Sequence, residues 1–184
     1  MNKKVIAVLA VALMAVVGTS AFLAITWTAP ATATLTINAG SSNSPSVTLV
    51  TSCASPAGPG PVFTTYTFPQ GFVSGQTYTV TFYVVNTGSQ LVYLYYTPGS
   101  FSDDGGQTLF NIYAYVIEAG NLQCQMNIIT KTPLTVKDPA VCNNAAYALG
   151  PTAVAKIQVD ITVLSINPSG APWDIPLTIW GCVP

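Results

Sequence analysis

The chain has 184 residues, of which 50% are hydrophobic and only 6% are charged, and it contains no histidine. Beyond residue 21 three lysines face six acidic residues, a balance of −3, and no cluster of positive charge occurs. Nucleic-acid binding relies on clustered Lys and Arg that neutralise phosphates, so this composition excludes it. The length left after an N-terminal leader fits one domain with a sizeable core.

The N-terminus has the layout of a secretory signal peptide. Lys3 and Lys4 precede an apolar run over residues 5–17 and the small residues 18–21. A charged start, a short apolar stretch and a small-residue cleavage site make up a cleavable leader, which the sequence predicts at residues 1–21. Two alternatives stay open. Cleavage could fall later, near residues 29–33, or residues 5–27 could remain as an anchor, since at ~1.5 Å per residue they span a bilayer of roughly 30 Å.

Apolar sequence continues beyond the predicted cleavage site. Six residues follow it, alternating between the two faces of an extended strand: Phe22, Leu23, Ala24, Ile25, Thr26 and Trp27. An exported protein rarely leaves such a strand in water, so we expect it to dock against protein. The sequence therefore divides into the leader at 1–21, an N-terminal strand segment at 22–38 and a β-sandwich domain at 39–184.

The remaining chain has the pattern of short strands separated by Gly/Pro clusters. Residues 76–85 are the clearest case, because β-branched and aromatic side chains alternate there with period two. Strands are also predicted at residues 46–52, 62–68, 91–97, 109–118, 122–130, 153–166 and 175–180. One short helix is predicted, at residues 140–149. This pattern favours an all-β fold, a single jelly-roll-like antiparallel β-sandwich with an N-terminal extension strand.

Four cysteines indicate the redox conditions in which the chain folds: Cys53, Cys124, Cys142 and Cys182. An even number of cysteines in an exported chain predicts disulfides. A zinc site would need closer cysteine pairs and usually histidine, so we disfavour it. Of the three possible pairings we favour Cys124–Cys142, as a local staple, with Cys53–Cys182 tying an early strand to the C-terminus.

Residues for catalysis are scarce. The absence of histidine removes the commonest general base, and no serine lies in a G-x-S-x-G motif. The run Asp103-Asp104-Gly105-Gly106 could bind calcium through its oxygens, but Asp and Gly are also the usual residues of a surface turn, which we favour. The sequence thus predicts no catalytic residue, no metal site and no cofactor.

The order of several short segments resembles the TasA–camelysin family of secreted biofilm fibre proteins, most closely its archaeal bundling-pilus subunits. The resembling segments are residues 18–22 at the leader junction, the strand 33–37, the loop and long strand 72–82, the turn Val85-Asn86-Thr87-Gly88-Ser89 and the last strand 175–180. The resemblance implies a jelly roll that polymerises when the N-terminal strand of one subunit fills a groove in its neighbour. Some bacterial members of that family carry a metalloprotease label. A zinc-protease role does not carry over to this chain, because it contains no histidine.

These observations lead to one expected function and two alternatives. We expect a secreted, non-enzymatic subunit of an extracellular filament on the cell surface, such as a bundling pilus or biofilm matrix fibre, with residues 22–27 as its donor strand. Its partners would be copies of itself, head to tail and with possible lateral bundling. No nucleic acid or small-molecule substrate is expected, and the membrane would be met only during export. The leading alternative is a membrane-anchored adhesin or envelope domain with residues 5–27 uncleaved; a secreted hydrolase ranks third.

Overall fold

The computed structural model describes residues 33–42, 47–55, 57–68, 72–99, 109–137, 142, 147–166 and 173–183. The predicted signal peptide, the six residues of the predicted donor strand and the Asp103–Gly106 turn lie outside the described residues. The part of the chain that the structure describes is built from β-strands, which confirms the predicted all-β class. The strands are β1 (Ala33–Ser42), β2 (Val47–Val50), β3 (Cys53–Ala54), β4 (Gly58–Pro59), β5 (Thr65–Phe68), β6 (Thr77–Asn86), β7 (Val92–Pro98), β8 (Leu109–Asn121), β9 (Met126–Pro133), β10 (Thr135–Val136), β11 (Ala148–Leu149), β12 (Ala153–Ser165) and β13 (Trp173–Cys182).

Two sheets pack face to face as a sandwich. Sheet I has the strand order β10-β7-β13-β1-β5, with β11 also paired to β7, and sheet II has the order β2-β6-β12-β8-β9. The strands β3 and β4 form a separate small hairpin. The long strands predicted from alternation at residues 76–85, 91–97, 109–118, 153–166 and 175–180 are all present, so the sandwich prediction is confirmed.

Side-chain alternation explains why these strands form one core. On β6, Val80, Phe82 and Val84 are buried, whereas Thr79 and Thr81 between them are exposed. On the neighbouring β12, alternate residues from Ile157 onward are buried in the same way. Because the period of a strand is two residues, a slip of one residue would expose the whole row, so the register is strongly specified.

The sheets are mixed rather than purely antiparallel. Strand β1 pairs with β13 in parallel over its full length, from Ala33 opposite Trp173 to Ser42 opposite Cys182, and the short β10 also runs parallel to β7. The other strand pairs are antiparallel. The first and last described strands therefore lie side by side inside sheet I.

Two disulfides are present, as predicted, but the favoured pairing is wrong. Cys53 bonds Cys124, and Cys142 bonds Cys182. The reason lies in which sheet each cysteine reaches. Cys124 is in the turn that joins β8 to β9 of sheet II, close to the β3–β4 hairpin, whereas Cys142 follows β10 onto sheet I, where Cys182 ends β13. Two disulfides indicate folding in an oxidising compartment.

Two other local predictions need correction. Residues 122–125 form the turn between β8 and β9, so the strand predicted at 122–130 begins only at Met126. The predicted helix at 140–149 is wrong at its end, because Ala148–Leu149 forms β11 and pairs with Val92 and Tyr93 of β7. Leu149 is buried in the core there. Pairing of this two-residue strand with β7 is enough to bury Leu149, so no helical turn is needed there.

Candidate functional site

No group of three or more His, Cys, Asp or Glu residues is placed to hold a metal ion in the described ranges. Nor does any helix in those ranges have the length and hydrophobicity to cross a membrane. In the described ranges two features stand out, a cleft lined by uncharged residues and an outer face whose charges are paired.

One side of the sandwich is closed by a continuous segment, residues 126–137. Its first part is β9, which pairs with β8 of sheet II, and its last part is β10, which pairs with β7 of sheet I. Between them the amide of Leu134 donates to the carbonyl of Ala114 at 2.8 Å, and Leu134 itself is buried. This segment therefore crosses from one sheet to the other while bonded to both.

The opposite side is crossed by residues 61–68, but less completely. The amide of Phe63 donates to Leu49 of β2 at 2.9 Å, and the amide of Ile37 of β1 donates to Thr64 at 2.8 Å. The predicted strand at 62–68 is thus split between the two sheets. Val62 forms a bridge with Val50 of β2 in sheet II, whereas only Thr65–Phe68 pairs with β1 in sheet I. The crossing leaves an opening beside the second half of β1.

That opening is a cleft of about 190 Å³, which we call the corner cleft. It is lined by Ile37, Asn38, Ala39, Val47, Thr48, Leu49, Val62, Phe63 and Thr64. Ile37, Leu49 and Phe63 form its buried apolar floor. Small-molecule sites usually measure ≈ 300–1,000 Å³, so this volume suits one or two side chains better than a cofactor.

Ala39 shows that the core is incomplete at the corner cleft. It continues the inward-facing row of Ala33, Leu35 and Ile37, which are all buried, yet Ala39 is exposed. Beyond Ile37, no described strand pairs with β1 on the side away from β13. An apolar floor beside a free strand edge is the arrangement to which an added strand binds.

The outer edge of sheet II differs, because β9 carries features that discourage strand addition. Lys131 is exposed on it, Pro133 ends it, and its pairing with β8 is interrupted by a bulge between Val116 and Glu118. Lysine, proline and bulges are the usual protections of an edge strand. Strand β5, at the edge of sheet I, contains Thr65, Tyr66, Thr67 and Phe68 and has none of these protections.

The outer face of sheet II is broad, polar and electrically neutral. Its cross-strand rows are Tyr83–Lys156–Glu118, Thr81–Gln158–Tyr115, Thr79–Asp160–Tyr113 and Thr77–Thr162–Asn111. Two ion pairs lie on it, Lys156 with Glu118 and Lys131 with Asp160, both at 2.7 Å. Every charge on this face therefore has an opposite charge in contact.

One group in each pair has a pKa that is shifted towards its charged form. The hydrogen bond to Glu118 raises the pKa of Lys156, against the opposing effect of desolvation. For Asp160, burial raises the pKa of the carboxyl, but hydrogen bonds from Lys131, Gln158 and Thr79 outweigh it and leave the pKa below its usual value. Both shifts favour the charged partners of an ion pair.

The outer face of sheet I is partly covered. The indole of Trp180 lies against Gly40 of β1, where an added Cβ would be 2.5 Å from the ring, and its Nε1 donates to Thr97 at 3.1 Å. Lys137 places its ammonium 4.8 Å from the same ring. The Cys142–Cys182 disulfide lies at the end of the strand that carries Trp180.

The structure brings together only some of the residues that the sequence singled out. The four cysteines form two separate bridges, and residues 33–38 of the predicted N-terminal segment form the first part of β1. The corner cleft was not predicted. Its only sequence signal is that the alternating apolar row of β1 ends in Ala39, which is too small to close the core.

Comparison of the chain with protein-family models finds no match, and comparison with curated proteins finds none either.

Proposed function

We propose that this protein is a secreted structural subunit of an extracellular filament, in which the apolar strand at residues 22–27 of one copy completes the sandwich of the next. The observation that carries the proposal is the exposure of Ala39 in the corner cleft, since an inward-facing row of the core ends there without a cover. Before β1 the chain also carries the apolar, strand-forming residues 22–27, which would themselves need protein contacts to shield them from water.

Apolar contact and backbone pairing would both stabilise such a joint. Burying one or two of the large apolar side chains of residues 22–27, as many as the corner cleft holds, would contribute roughly 1.5–6 kcal/mol at about 1.5–3 kcal/mol each, before the costs of ordering and association. Each backbone hydrogen bond to the free edge would add about 0.5–1.5 kcal/mol. A head-to-tail contact of this kind is heterologous, so it propagates as a filament where the rotation does not close a ring.

The first test is negative-stain electron microscopy of the secreted protein with and without residues 22–28. The mass of each purified protein must first be measured, because an N-terminus near Ala21 or Phe22 is required for a free donor strand. We expect filaments from the first protein and monomers from the second. Filaments that persist after the deletion would contradict the proposed joint.

A matched variant separates loss of apolar contact from loss of chain length. Replacing Phe22, Leu23, Ile25 and Trp27 by serine keeps the length and should abolish filaments as the deletion does. A protein that retains Met1 or Asn2 and remains with the membrane would instead favour the anchored adhesin or envelope domain.

Lateral contact between filaments has a separate candidate surface, the outer face of sheet II. Its ion pairs are internal, so an approaching uncharged surface would leave no lone charge to desolvate. Leu109, Tyr113 and Leu164 are about half exposed on or beside it. A second copy of the same neutral face is the partner that this surface fits.

A further inference from the structure

We infer that the Cys53–Cys124 disulfide, which we call the hairpin clasp, is a site of thiol–disulfide exchange that a small dithiol reduces while the sandwich stays folded. Its reduction releases the tip of the β3–β4 hairpin and uncovers the buried valines Val50, Val85 and Val154. Opening of the hairpin clasp goes beyond the proposed function, since it does not depend on whether the protein forms filaments.

The two disulfides of the protein differ in their access to solvent. Cys53 and Cys124 are both partly exposed, so a thiolate released from the hairpin clasp meets water. In the other bridge Cys182 is fully buried, and a reductant that attacked Cys142 would have to release the Cys182 thiolate inside the protein. Burial in apolar surroundings disfavours a thiolate, and exposed disulfides are the more readily reduced ones. The hairpin clasp is therefore the bridge that a reductant opens first.

The backbone of Cys124 holds a conformation that favours glycine. Its φ is 61°, in the left-handed region, and its amide donates to the carbonyl of Asn121 at 2.8 Å within the β8–β9 turn. A residue with a Cβ adopts this region at a conformational cost that glycine avoids. One end of the hairpin clasp is thus held in a strained turn, and opening of the bridge allows that strain to relax.

The hairpin at the other end of the clasp is too short to hold its own tip in place. Within the described residues β3 and β4 share two residue pairs, which involve Cys53 and Ala54 of β3. An isolated two-stranded hairpin is at best marginally stable in water. The base of the hairpin is held separately, because Val62 forms a bridge with Val50 at the end of β2. Reduction therefore frees the tip and leaves the base attached.

The valines beneath the hairpin clasp point away from the main core. Val85 of β6 and Val154 of β12 lie opposite each other and alternate with the inward-facing residues of their strands. Both are buried, as is Val50, and Cys53 and Leu122 pack against this cluster. Opening the hairpin clasp therefore exposes apolar surface on the outer side of sheet II while the core between the sheets stays intact.

The exchange needs one dithiol as reductant. A thiolate of the dithiol attacks Sγ of Cys124, because Cys53 packs against the valines, and a mixed disulfide forms as the Cys53–Cys124 bond breaks. Cys53 leaves as a thiolate. The second thiolate of the dithiol attacks the mixed disulfide, releases Cys124 and closes the reductant into a cyclic disulfide. Two electrons pass from the dithiol to the protein, and the two protons that the dithiol loses end on the two cysteines.

The test is graded reduction of the secreted protein with dithiothreitol in the absence of denaturant. Samples are quenched with iodoacetamide, and peptide mass spectrometry gives the alkylated fraction of each cysteine. We expect Cys53 and Cys124 to be alkylated at least about tenfold faster than Cys142 and Cys182. The protein reduced at the hairpin clasp alone should still unfold in one cooperative transition in a melting curve.

The dye anilinonaphthalene sulfonate reports the uncovering, because its fluorescence rises when it binds exposed apolar surface. We expect that rise on reduction of the parent protein and of the matched Cys142→Ser/Cys182→Ser protein, which keeps the hairpin clasp. The Cys53→Ser/Cys124→Ser protein should bind the dye without reductant and show no further rise.

Two results would overturn the inference. Alkylation of all four cysteines at one rate, or of Cys142 and Cys182 first, would exclude selective exchange at the hairpin clasp. Selective reduction without a rise in dye fluorescence would show that the valines stay covered. Either result leaves the filament proposal untouched, because the filament joint is tested on residues 22–28.

Discussion

The side-chain amide of Asn86 donates a hydrogen bond to the carbonyl oxygen of Gly150 at 3.0 Å, joining residues 64 positions apart in the chain. The same nitrogen donates to Leu149 at 3.2 Å and Gln90 at 2.8 Å, and Oδ1 accepts from the amide of Gly88 at 3.0 Å. Asn86 is fully buried, so these bonds fix the β6–β7 turn against β11.

Replacing Asn86 by alanine should therefore destabilise the fold. We expect a loss of about 1–3 kcal/mol in the free energy of unfolding, because the amide's bonds to three carbonyl oxygens would be lost, including the buried bond to Leu149. Urea denaturation measures this loss. Asn111→Ala, at an exposed position of β8, is the matched control and should change stability by no more than about 0.5 kcal/mol. Equal effects at the two positions would contradict the role assigned to Asn86.

The turn around Asn86 also shows how far sequence reasoning reaches. The turn at residues 86–89 and the strands on both sides were predicted, because period-two alternation and turn residues are local signals. The partner of Asn86 was not, since β11 lies 63 residues away from it and was predicted as part of a helix. Nothing local distinguishes a two-residue strand from the end of a short helix.

The disulfide pairing and the corner cleft escaped prediction for a related reason. Which cysteines meet depends on which sheet each connection crosses, and spacing along the chain does not record this. The exposure of Ala39 depends on how residues 61–64 pass between the sheets. Long-range placement of this kind becomes visible only in the folded chain.

Gly120 on β8 is predicted to tolerate no side chain. A Cβ added there would collide with the backbone carbonyl of Gln125, which cannot move without opening the β8–β9 turn. We expect Gly120→Ala to cost about 1–3 kcal/mol in thermal or urea unfolding, as overpacking usually does. Gly150→Ala is the control, since a Cβ there meets nothing within 4 Å, and it should be neutral or slightly stabilising.

The Cys53–Cys124 disulfide should hold the β3–β4 hairpin and the β8–β9 turn together over a second, smaller apolar cluster. Val50, Val85 and Val154 are buried on the outer side of sheet II, next to Cys53 and Leu122. Replacing both cysteines by serine removes a link across 71 residues, for which loop-closure entropy gives about 4 kcal/mol.

Hydrogen exchange distinguishes this role from general destabilisation. Compared at equal global stability, the Cys53→Ser/Cys124→Ser protein should exchange faster at Val85 and Val154. The matched Cys142→Ser/Cys182→Ser protein should not, because that bridge lies on sheet I. Identical exchange patterns in the two proteins would contradict a local covering role.

The Lys131–Asp160 pair should give the fold a defined sensitivity to acid. Because the folded pKa of Asp160 is below its unfolded value, its stabilising contribution is present above about pH 4 and is lost as the pH falls through the folded pKa. Lys131 is 44% exposed, so solvent screening limits the coupling free energy to about 1 kcal/mol or less.

A double-mutant cycle with Lys131→Met and Asp160→Asn measures this coupling directly. We expect a favourable value at pH 7 and low salt that approaches zero at pH 2. A coupling that is unchanged between these two conditions would show that packing, rather than charge, joins the two residues.

The neutral face of sheet II is predicted to be the surface for lateral contact between filaments. Tyr113 is 50% exposed in its middle and lies opposite Asp160, which Lys131 already neutralises, so Tyr113→Lys would give the face one positive charge in excess. Because packing two such faces would desolvate that charge, we expect single filaments in place of bundles in electron micrographs, with filament length unchanged. The control is Thr135→Lys, which adds the same charge at an exposed position of sheet I. Bundles that survive Tyr113→Lys but disappear with Thr135→Lys would assign the lateral contact to sheet I.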